Sequence, residues 1–463
     1  MEHDGHTVDN PQVRALGVAV LASLLLAAAV RLPRLGTPGL TSAEQTAFVE
    51  SQGLSTKVLL PSGRPVAAEA LPRRSTPPSL GPAGLALWAR AAGTSETALR
   101  LPSALSGVLA AVFAALFAGR LAGPRAAAWA GGFVALSPIH TLASRTAGPE
   151  APLVLLLLLA LLLLAKVESA GSYAHSAALG LTVGLLAVSG VAAFAALTLV
   201  AVAWLALRAD RRPAASLATA VALVVVGVAA HLGPARSPLD YGEIPSWVPE
   251  TTASGILRCA GASFTRMAGL EYHLVVSHAR YVVPLTGLFV ALMTLGVARV
   301  PARWRGLLVV GALLPFALGA AVALATGRVA PLQASRLVAA LPSLALLVAV
   351  GLASLRGWRA WAAGAAVGGT LVAFLWLALA RPGHGTSATR SVAREVARCR
   401  AGVVAVQRPL DLLSLAAWGL PGPFLLRTPG APLPAGTAIV LGSSSACVSG
   451  GATCGALPQC PTD

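Results

Sequence analysis

The chain has 463 residues, of which 56% are apolar and 11% charged, with a mean hydropathy of +0.76. That excludes a disordered protein, and it excludes an ordinary soluble domain, whose charged share is about 25%. The net charge of +17, almost all of it from arginine, would suggest nucleic-acid binding in a soluble protein. In a membrane protein the same excess is first read as topology, because Lys and Arg collect in short cytoplasmic loops.

Apolar runs long enough to cross a hydrocarbon core of about 30 Å are read at 12–30, 101–121, 126–143, 150–166, 174–189, 191–208, 213–232, 281–298, 305–325, 336–355 and 358–380. These make eleven spans, with the 174–208 stretch folded back at Ser189-Gly190. The first run follows a polar segment with Asp4, His6 and Asp9 and lacks a small-residue cleavage site, so it reads as a permanent span. With the N-terminus inside, the short cytoplasmic turns hold Arg120, Arg125, Lys166, Arg208, Arg211, Arg212, Arg299, Arg303, Arg305, Arg356 and Arg359. The short outer connections hold only Arg145, Arg328 and Arg336. The bias places the N-terminus in the cytoplasm and the C-terminus outside.

Three long non-spanning segments then face outward: 31–100, 233–280 and the tail after 380. Two domains follow: a transmembrane domain over 1–380, including the first two outer loops, and a small extracytoplasmic α/β domain over 381–463. Residues 80–93 read as a helix at the interface with Trp88 at headgroup depth. In the tail, 391–400 reads as a short amphipathic helix, and 402–406 and 437–441 as buried strands. Cys399, Cys447, Cys454 and Cys460 lie in the tail, where an oxidising compartment favours disulfides. A Cys454–Cys460 bridge would leave Cys399 with Cys447, though four cysteines allow three pairings; Cys259 falls in the second outer loop.

Charge beside hydrocarbon is expensive unless it is used, so ionisable residues at the outer edge are the candidates for chemistry. Glu44, in Thr41-Ser42-Ala43-Glu44-Gln45 just past the first span, is a candidate acceptor-side base. Its bland alternative is a solvated loop carboxylate. The connection Ser144-Arg145-Thr146-Ala147-Gly148-Pro149-Glu150 carries a guanidinium suited to phosphate and a carboxylate suited to an acceptor or a metal ion. The alternative is a helix-end Arg reaching for the interface and a Glu complementing the next helix dipole. Arg328 and Arg336, flanking Ala330-Pro331-Leu332-Gln333, run against the charge bias and call for an anionic lipid headgroup or an intraprotein carboxylate. No motif demands a cofactor; two separated carboxylates are weak ground for a divalent metal ion.

The order of these segments resembles a known family. Thr76-Pro77-Pro78-Ser79-Leu80, Leu87-Trp88, Gly93-Thr94-Ser95-Glu96 and above all Ala98-Leu99-Arg100-Leu101-Pro102-Ser103-Ala104-Leu105-Ser106-Gly107-Val108-Leu109 are similar to polyprenyl-phosphate-sugar-dependent glycosyltransferases of the GT-C fold. That group includes protein O-mannosyltransferases and aminoarabinose lipid A transferases. The likeness continues through Ala135-Leu136-Ser137-Pro138-Ile139-His140 and Ser144-Arg145, and returns at Ser335-Arg336-Leu337-Val338 with Leu341-Pro342.

The resemblance implies a multi-pass protein of the bacterial inner membrane and cell envelope. It would transfer a sugar from a polyprenyl-phosphate donor to a lipid, glycan or protein acceptor, with inversion. Glu44 and Glu150 would then be the catalytic carboxylates, with Arg145, Arg336 and Arg328 binding the donor phosphate. The family's first-loop Asp falls on Ala43, and its usual His-Pro-Pro has become Thr76-Pro77-Pro78. Two readings compete: a catalytically inactive relative that binds lipid or supports assembly, and a transporter. Transporters place polar or broken-helix features near the bilayer midplane, whereas these spans carry very few charges.

Overall fold

The computed structural model describes residues 11–36, 40–54, 65–67, 70–71, 80–170, 172–188, 192–206, 211–232, 253–267, 279–326, 332 and 337–380. Of the C-terminal part it describes 386–387, 403–406, 409–417, 420, 423–426, 437–441 and 445–448. The chain divides into a helical unit, Met1–Pro33 with Pro102–Arg145 and Pro149–Ala380, and a mixed unit, Arg34–Leu101 with Thr146–Gly148 and Arg381–Asp463.

Helices stand on the expected apolar stretches. They are α1 (Pro11–Arg31), then α2 (Ser42–Ser51) and α3 (Leu80–Ala92), then α4 (Glu96–Leu136), α5 (Pro138–Ser144), α6 (Glu150–Ala170), α7 (Tyr173–Ala187) and α8 (Ala192–Ala206). After α9 (Arg212–Leu232) and α10 (Ala253–Met267) come α11 (Ala279–Arg299), α12 (Ala302–Thr326), α13 (Leu341–Ser354, entered by a 3-10 turn at Val338–Ala340) and α14 (Trp358–Ala380). Among the described residues, five helices are long and apolar enough to cross a membrane, namely α1, α4, α6, α12 and α14, and four apolar helices are shorter. The chain is a multi-pass membrane protein.

The break expected between 121 and 126 lies inside α4. Ala122 (φ −148°) and Gly123 (φ 80°) leave helical geometry just before Pro124, so the 41 residues form two helical arms. A positive φ costs Gly little, and a Pro is tolerated in the first turn of the helix it opens. The 174–208 stretch is likewise two helices, α7 and α8.

Small residues set the packing of the helical unit. Gly180 and Gly184 of α7 face Ala218, Val221 and Val225 of α9, and Gly296 of α11 and Gly351 of α13 each meet a backbone carbonyl of the other helix, Leu347 and Leu292. A Cβ at Gly296 or Gly351 would collide with backbone, which explains why glycine stands at these crossings. Aromatic rings fill the wider gaps: Trp204 stacks on Trp304 at 4.9 Å, and Phe117 meets the Trp304 ring edge-on at 5.3 Å. Three segments come together at one end of the bundle, where Arg211 donates to the Glu168 carbonyl at 2.6 Å and Arg303 lies 3.6 Å from the Glu168 carboxylate. Both arginines belong to turns assigned to the cytoplasm by charge. On α14, Trp358 and Trp376 are both exposed and stand about 27 Å apart along the axis, close to the hydrocarbon thickness, as two interfacial belts require.

The mixed unit holds β1 (Leu40–Thr41), β2 (Pro65–Val66), β3 (Thr386–Ser387), β4 (Val403–Val406), α15 (Pro409–Ala417), β5 (Phe424–Leu426), β6 (Thr437–Leu441) and β7 (Ser445–Val448). Five strands form one sheet in the order β2-β5-β4-β6-β7, and β1 pairs separately with β3. Strand β4 runs parallel to both β5 and β6, with Val404 opposite Phe424 and Ala438. Val404, Ala405 and Val406 are buried, and Val-Val-Ala-Val reads as a continuous apolar run, as a central parallel strand does.

The sequence groups the first outer loop with the spans. The structure groups it with the tail, because β2 joins the sheet through β5 and α2 packs on α15. Helix α3 occupies the stretch expected at the interface, but the indole Nε1 of Trp88 donates to the Ala98 carbonyl at 2.7 Å. Leu85 and Ala89 of α3 pack with Leu40, Phe48 and Leu99. The helix expected at 391–400 and the cysteines Cys399, Cys454 and Cys460 lie outside the described residues, and Cys259 stands partly buried on α10.

Candidate functional site

Glu44 is placed by local sequence. Thr41-Ser42-Ala43-Glu44 is a capping box: the Glu44 amide donates to Thr41 Oγ1 at 3.3 Å, and the Thr41 amide donates to Glu44 Oε2 at 2.8 Å. The carboxylate is 2% exposed and carries further partners. Arg100 grips it with both arms of its fork, Nε to Oε1 at 2.7 Å and Nη2 to Oε2 at 2.9 Å, and the Ala147 amide donates to Oε1 at 2.8 Å. Arg100, itself buried, spends Nη1 on the Leu35 carbonyl at 2.9 Å.

One carboxylate therefore ties the start of α2, the start of α4 and the 146–148 connection. Each oxygen takes two donors, which fills the roughly four lone-pair positions a carboxylate offers. Held this way, Glu44 can take a proton from an acceptor hydroxyl only after one donor has left.

The second cluster lies in the helical unit. Arg31 ends α1 fully buried. Its Nη1 donates to the Ala135 carbonyl and its Nη2 to the Val134 carbonyl, both at 2.8 Å, so one guanidinium caps the last turn of α4. Carbonyls at a helix end lack partners and carry the negative end of the dipole, which makes a cation a favourable cap. Arg145 returns the favour to α1: Nη1 donates to the carbonyls of Val30 (3.1 Å), Arg31 (3.1 Å) and Pro33 (2.9 Å). Room for Arg31 comes from Gly107, where a Cβ would lie 2.7 Å from Arg31 Nε and 2.5 Å from Ser144 Cβ.

His140, also fully buried, stands with Nδ1 3.0 Å from Arg31 Nη2. Nδ1 also lies 3.4 Å from the Val134 carbonyl; it accepts if its partner is Arg31, which only donates, and donates if its partner is that carbonyl. Glu150 opens α6 in its first turn, partly buried, where a carboxylate complements the dipole.

Of the residues marked in the sequence, Glu44 thus belongs to the mixed unit and Arg145 and Glu150 to the helical unit; Arg328 and Arg336 lie outside the described residues. Among the described residues no group of three or more His, Cys, Asp or Glu is placed to hold a metal ion. Charge at the outer edge of the spans does not single out Arg100 or Arg31. Arg100 stands in the motif that carries the family resemblance, and Thr41-x-x-Glu44 is a readable capping signature. For Arg31, an Arg closing a span is ordinary, and nothing in the sequence announces its burial.

A multi-pass helical unit combined with a small mixed sheet defines a membrane protein of the GT-C fold, as the motifs led one to expect. Residues 76–232 match the dolichyl-phosphate-mannose-protein mannosyltransferase family. The chain is similar in structure to ArnT from Cupriavidus metallidurans bound to undecaprenyl phosphate, with 17% identity, 90% of this chain and 86% of that one covered, and a TM-score of 0.55. Against the apo state of the same protein, identity and coverage are the same and the TM-score is 0.52. The apo oligosaccharyltransferase of Archaeoglobus fulgidus is similar at 12% identity, covering 91% of this chain and 65% of that one, with a TM-score of 0.52. No curated protein matches the sequence.

Proposed function

We propose that this protein is an integral-membrane glycosyltransferase of the bacterial inner membrane. It takes a sugar from a polyprenyl-phosphate donor and transfers it, with inversion, to a lipid, glycan or protein acceptor on the extracytoplasmic face. The observation that carries this reading is a fold shared over most of both chains with a protein captured holding undecaprenyl phosphate, together with the mannosyltransferase family match over 76–232. The N-terminus is cytoplasmic and the C-terminus extracytoplasmic, as the arginine bias requires.

In this reading Arg145, Arg336 and Arg328 serve the donor phosphate. Nη1 of Arg145 is engaged on backbone carbonyls, so a phosphate role would be exercised beside that cap. Glu150 and Glu44 are the carboxylates assigned to the acceptor, and Glu44 becomes competent as a base when substrate binding displaces one of its donors. Losing a positioned base typically costs 10²–10⁴-fold in rate.

A second reading has a specific observation in its favour. With Ala at position 43 and the Glu44 carboxylate held by Arg100, Ala147 and Thr41, the fold fits a non-catalytic relative that binds the lipid and supports assembly. Purified protein incubated with labelled polyprenyl-phosphate sugars separates the two. The transferase reading expects product and its loss in Glu44→Gln or Glu150→Gln. Transfer unaffected by either change overturns the site assignment, and no transfer from any such donor gives the assembly reading.

A further inference from the structure

Three segments distant in sequence meet at Glu168, near the end of α6. Arg211, just before α9, donates to its carbonyl at 2.6 Å, and Arg303, in the first turn of α12, lies 3.6 Å from its carboxylate. The end of α8 joins them: Trp204 donates from Nε1 to the Arg303 carbonyl at 3.1 Å and stacks on Trp304. Helix α8 packs against α6, α9 and α12, so these contacts belong to one packed group of helices inside the helical unit.

The charge gathered here is unbalanced. Lys166, Arg212, Arg299, Arg303 and Arg305 are exposed, whereas the acidic residues of the stretches 166–172, 207–212 and 299–305 are Glu168 and Asp210. Glu168 does not use up the Arg303 fork. Their separation exceeds the roughly 2.7–2.9 Å of a charge-assisted hydrogen bond, and the Arg303 side chain is 60% exposed against 11% for Glu168. A topological bias asks for arginine in each turn separately; it does not ask three turns to converge on one carboxylate.

Depth identifies the partner. The apolar helices α6, α8 and α12 reach these turns, and a half-buried indole that donates at its polar edge, as Trp204 does, marks the headgroup level of a bilayer. A guanidinium at that depth meets lipid phosphate, the anion its planar fork matches. Basic pockets between the cytoplasmic ends of membrane helices take up acidic headgroups on the same grounds.

We infer that the exposed cations gathered around Glu168, Arg212 and Arg303 foremost, form a binding surface for the phosphate of an anionic phospholipid. The orientation proposed above sets only which leaflet supplies the lipid, the cytoplasmic one. The surface stands whether or not the protein transfers sugar.

The test is native mass spectrometry of the full chain released from detergent micelles and titrated with phosphatidylglycerol or with phosphatidylethanolamine. The wild-type protein should bind phosphatidylglycerol the more tightly. Each cation beside an anionic phosphate is worth about fivefold, so Arg212→Gln combined with Arg303→Gln, drawn from two of the three turns, should weaken that binding about 30-fold. Arg356→Gln combined with Arg359→Gln removes the same charge from the turn between α13 and α14 and should leave it unchanged. Arg212→Gln alone keeps the Arg211 and Arg303 contacts in place and should still cost about fivefold, so the test does not depend on an Arg303 variant folding. Equal binding of the two lipids, or equal losses from the two pairs of substitutions, overturns the inference. Inorganic phosphate that displaces the lipid at the same concentration makes this a site for a soluble anion and overturns the assignment to lipid.

Discussion

Replacing Glu44 by Gln separates a structural from a catalytic account of the same carboxylate. Gln has the same shape but only one accepting oxygen. Its amide nitrogen would face a donor, either Arg100 Nη2 and the Thr41 amide or Arg100 Nε and the Ala147 amide, depending on which way it is turned. The Arg100 charge would remain, 1% exposed, with its Nη1 still on the Leu35 carbonyl. Removing one partner of a buried pair costs about 3–5 kcal/mol. At about 2–4 °C per kcal/mol for a unit of this size, the apparent Tm falls by about 6–20 °C. Thermal unfolding of the detergent-solubilised protein measures it. Glu44→Leu combined with Arg100→Met removes both charges, and its loss should be smaller than the sum of the two single losses by about 0.5–3 kcal/mol. A Glu44→Gln protein that keeps its Tm within about 2 °C, on the same conversion, while losing transfer would refute the clamp and restore Glu44 as a free base.

The remaining predictions concern the helical crossings, the arginine caps and the tail. Gly107→Ala should destabilise by about 1–3 kcal/mol, because its Cβ would press on Arg31 Nε and Ser144; unfolding midpoints check it. Gly296→Leu should be worse than Gly132→Leu, since the first meets the Leu347 backbone and the second open space; folded yield after extraction reads the difference. Arg145→Met strips three carbonyls at the end of α1 of a donor and should cost about 1–3 kcal/mol, while Arg145→Lys recovers part of it. A Lys variant that keeps its stability but raises the KM for a polyprenyl-phosphate donor would favour a phosphate role beyond the cap. Non-reducing peptide mapping should find Cys454 linked to Cys460 and Cys399 to Cys447; any other pairing refutes the proposed closure.

What the sequence revealed follows from the physics each feature obeys. Helix positions were legible because a bilayer demands a run of apolar residues of set length, and even the break at 122–125 announced itself through Gly123-Pro124. The two tail strands were legible because central parallel strands are short, uninterrupted apolar runs. Which segments share a unit was not legible. The pairing of β2 with β5 joins residues more than 350 positions apart, and nothing local to Pro65-Val66 encodes its partner.

The candidate site divides along the same line. A carboxylate at the membrane edge can be found by scanning for charge, but whether it is free to react depends on what faces it. Arg100 and the Ala147 amide reach Glu44 from separations of 56 and 103 residues. Sequence therefore located Glu44 and left open whether its lone pairs are free. The same holds for Arg145, whose two readings, phosphate ligand and helix-end cation, differ only in what lies opposite the guanidinium. Nη1 faces the carbonyls of Val30 and Arg31 in α1 and of Pro33 just past it. A phosphate role would be exercised beside that cap, and the Met and Lys substitutions at this one position weigh the two roles against each other.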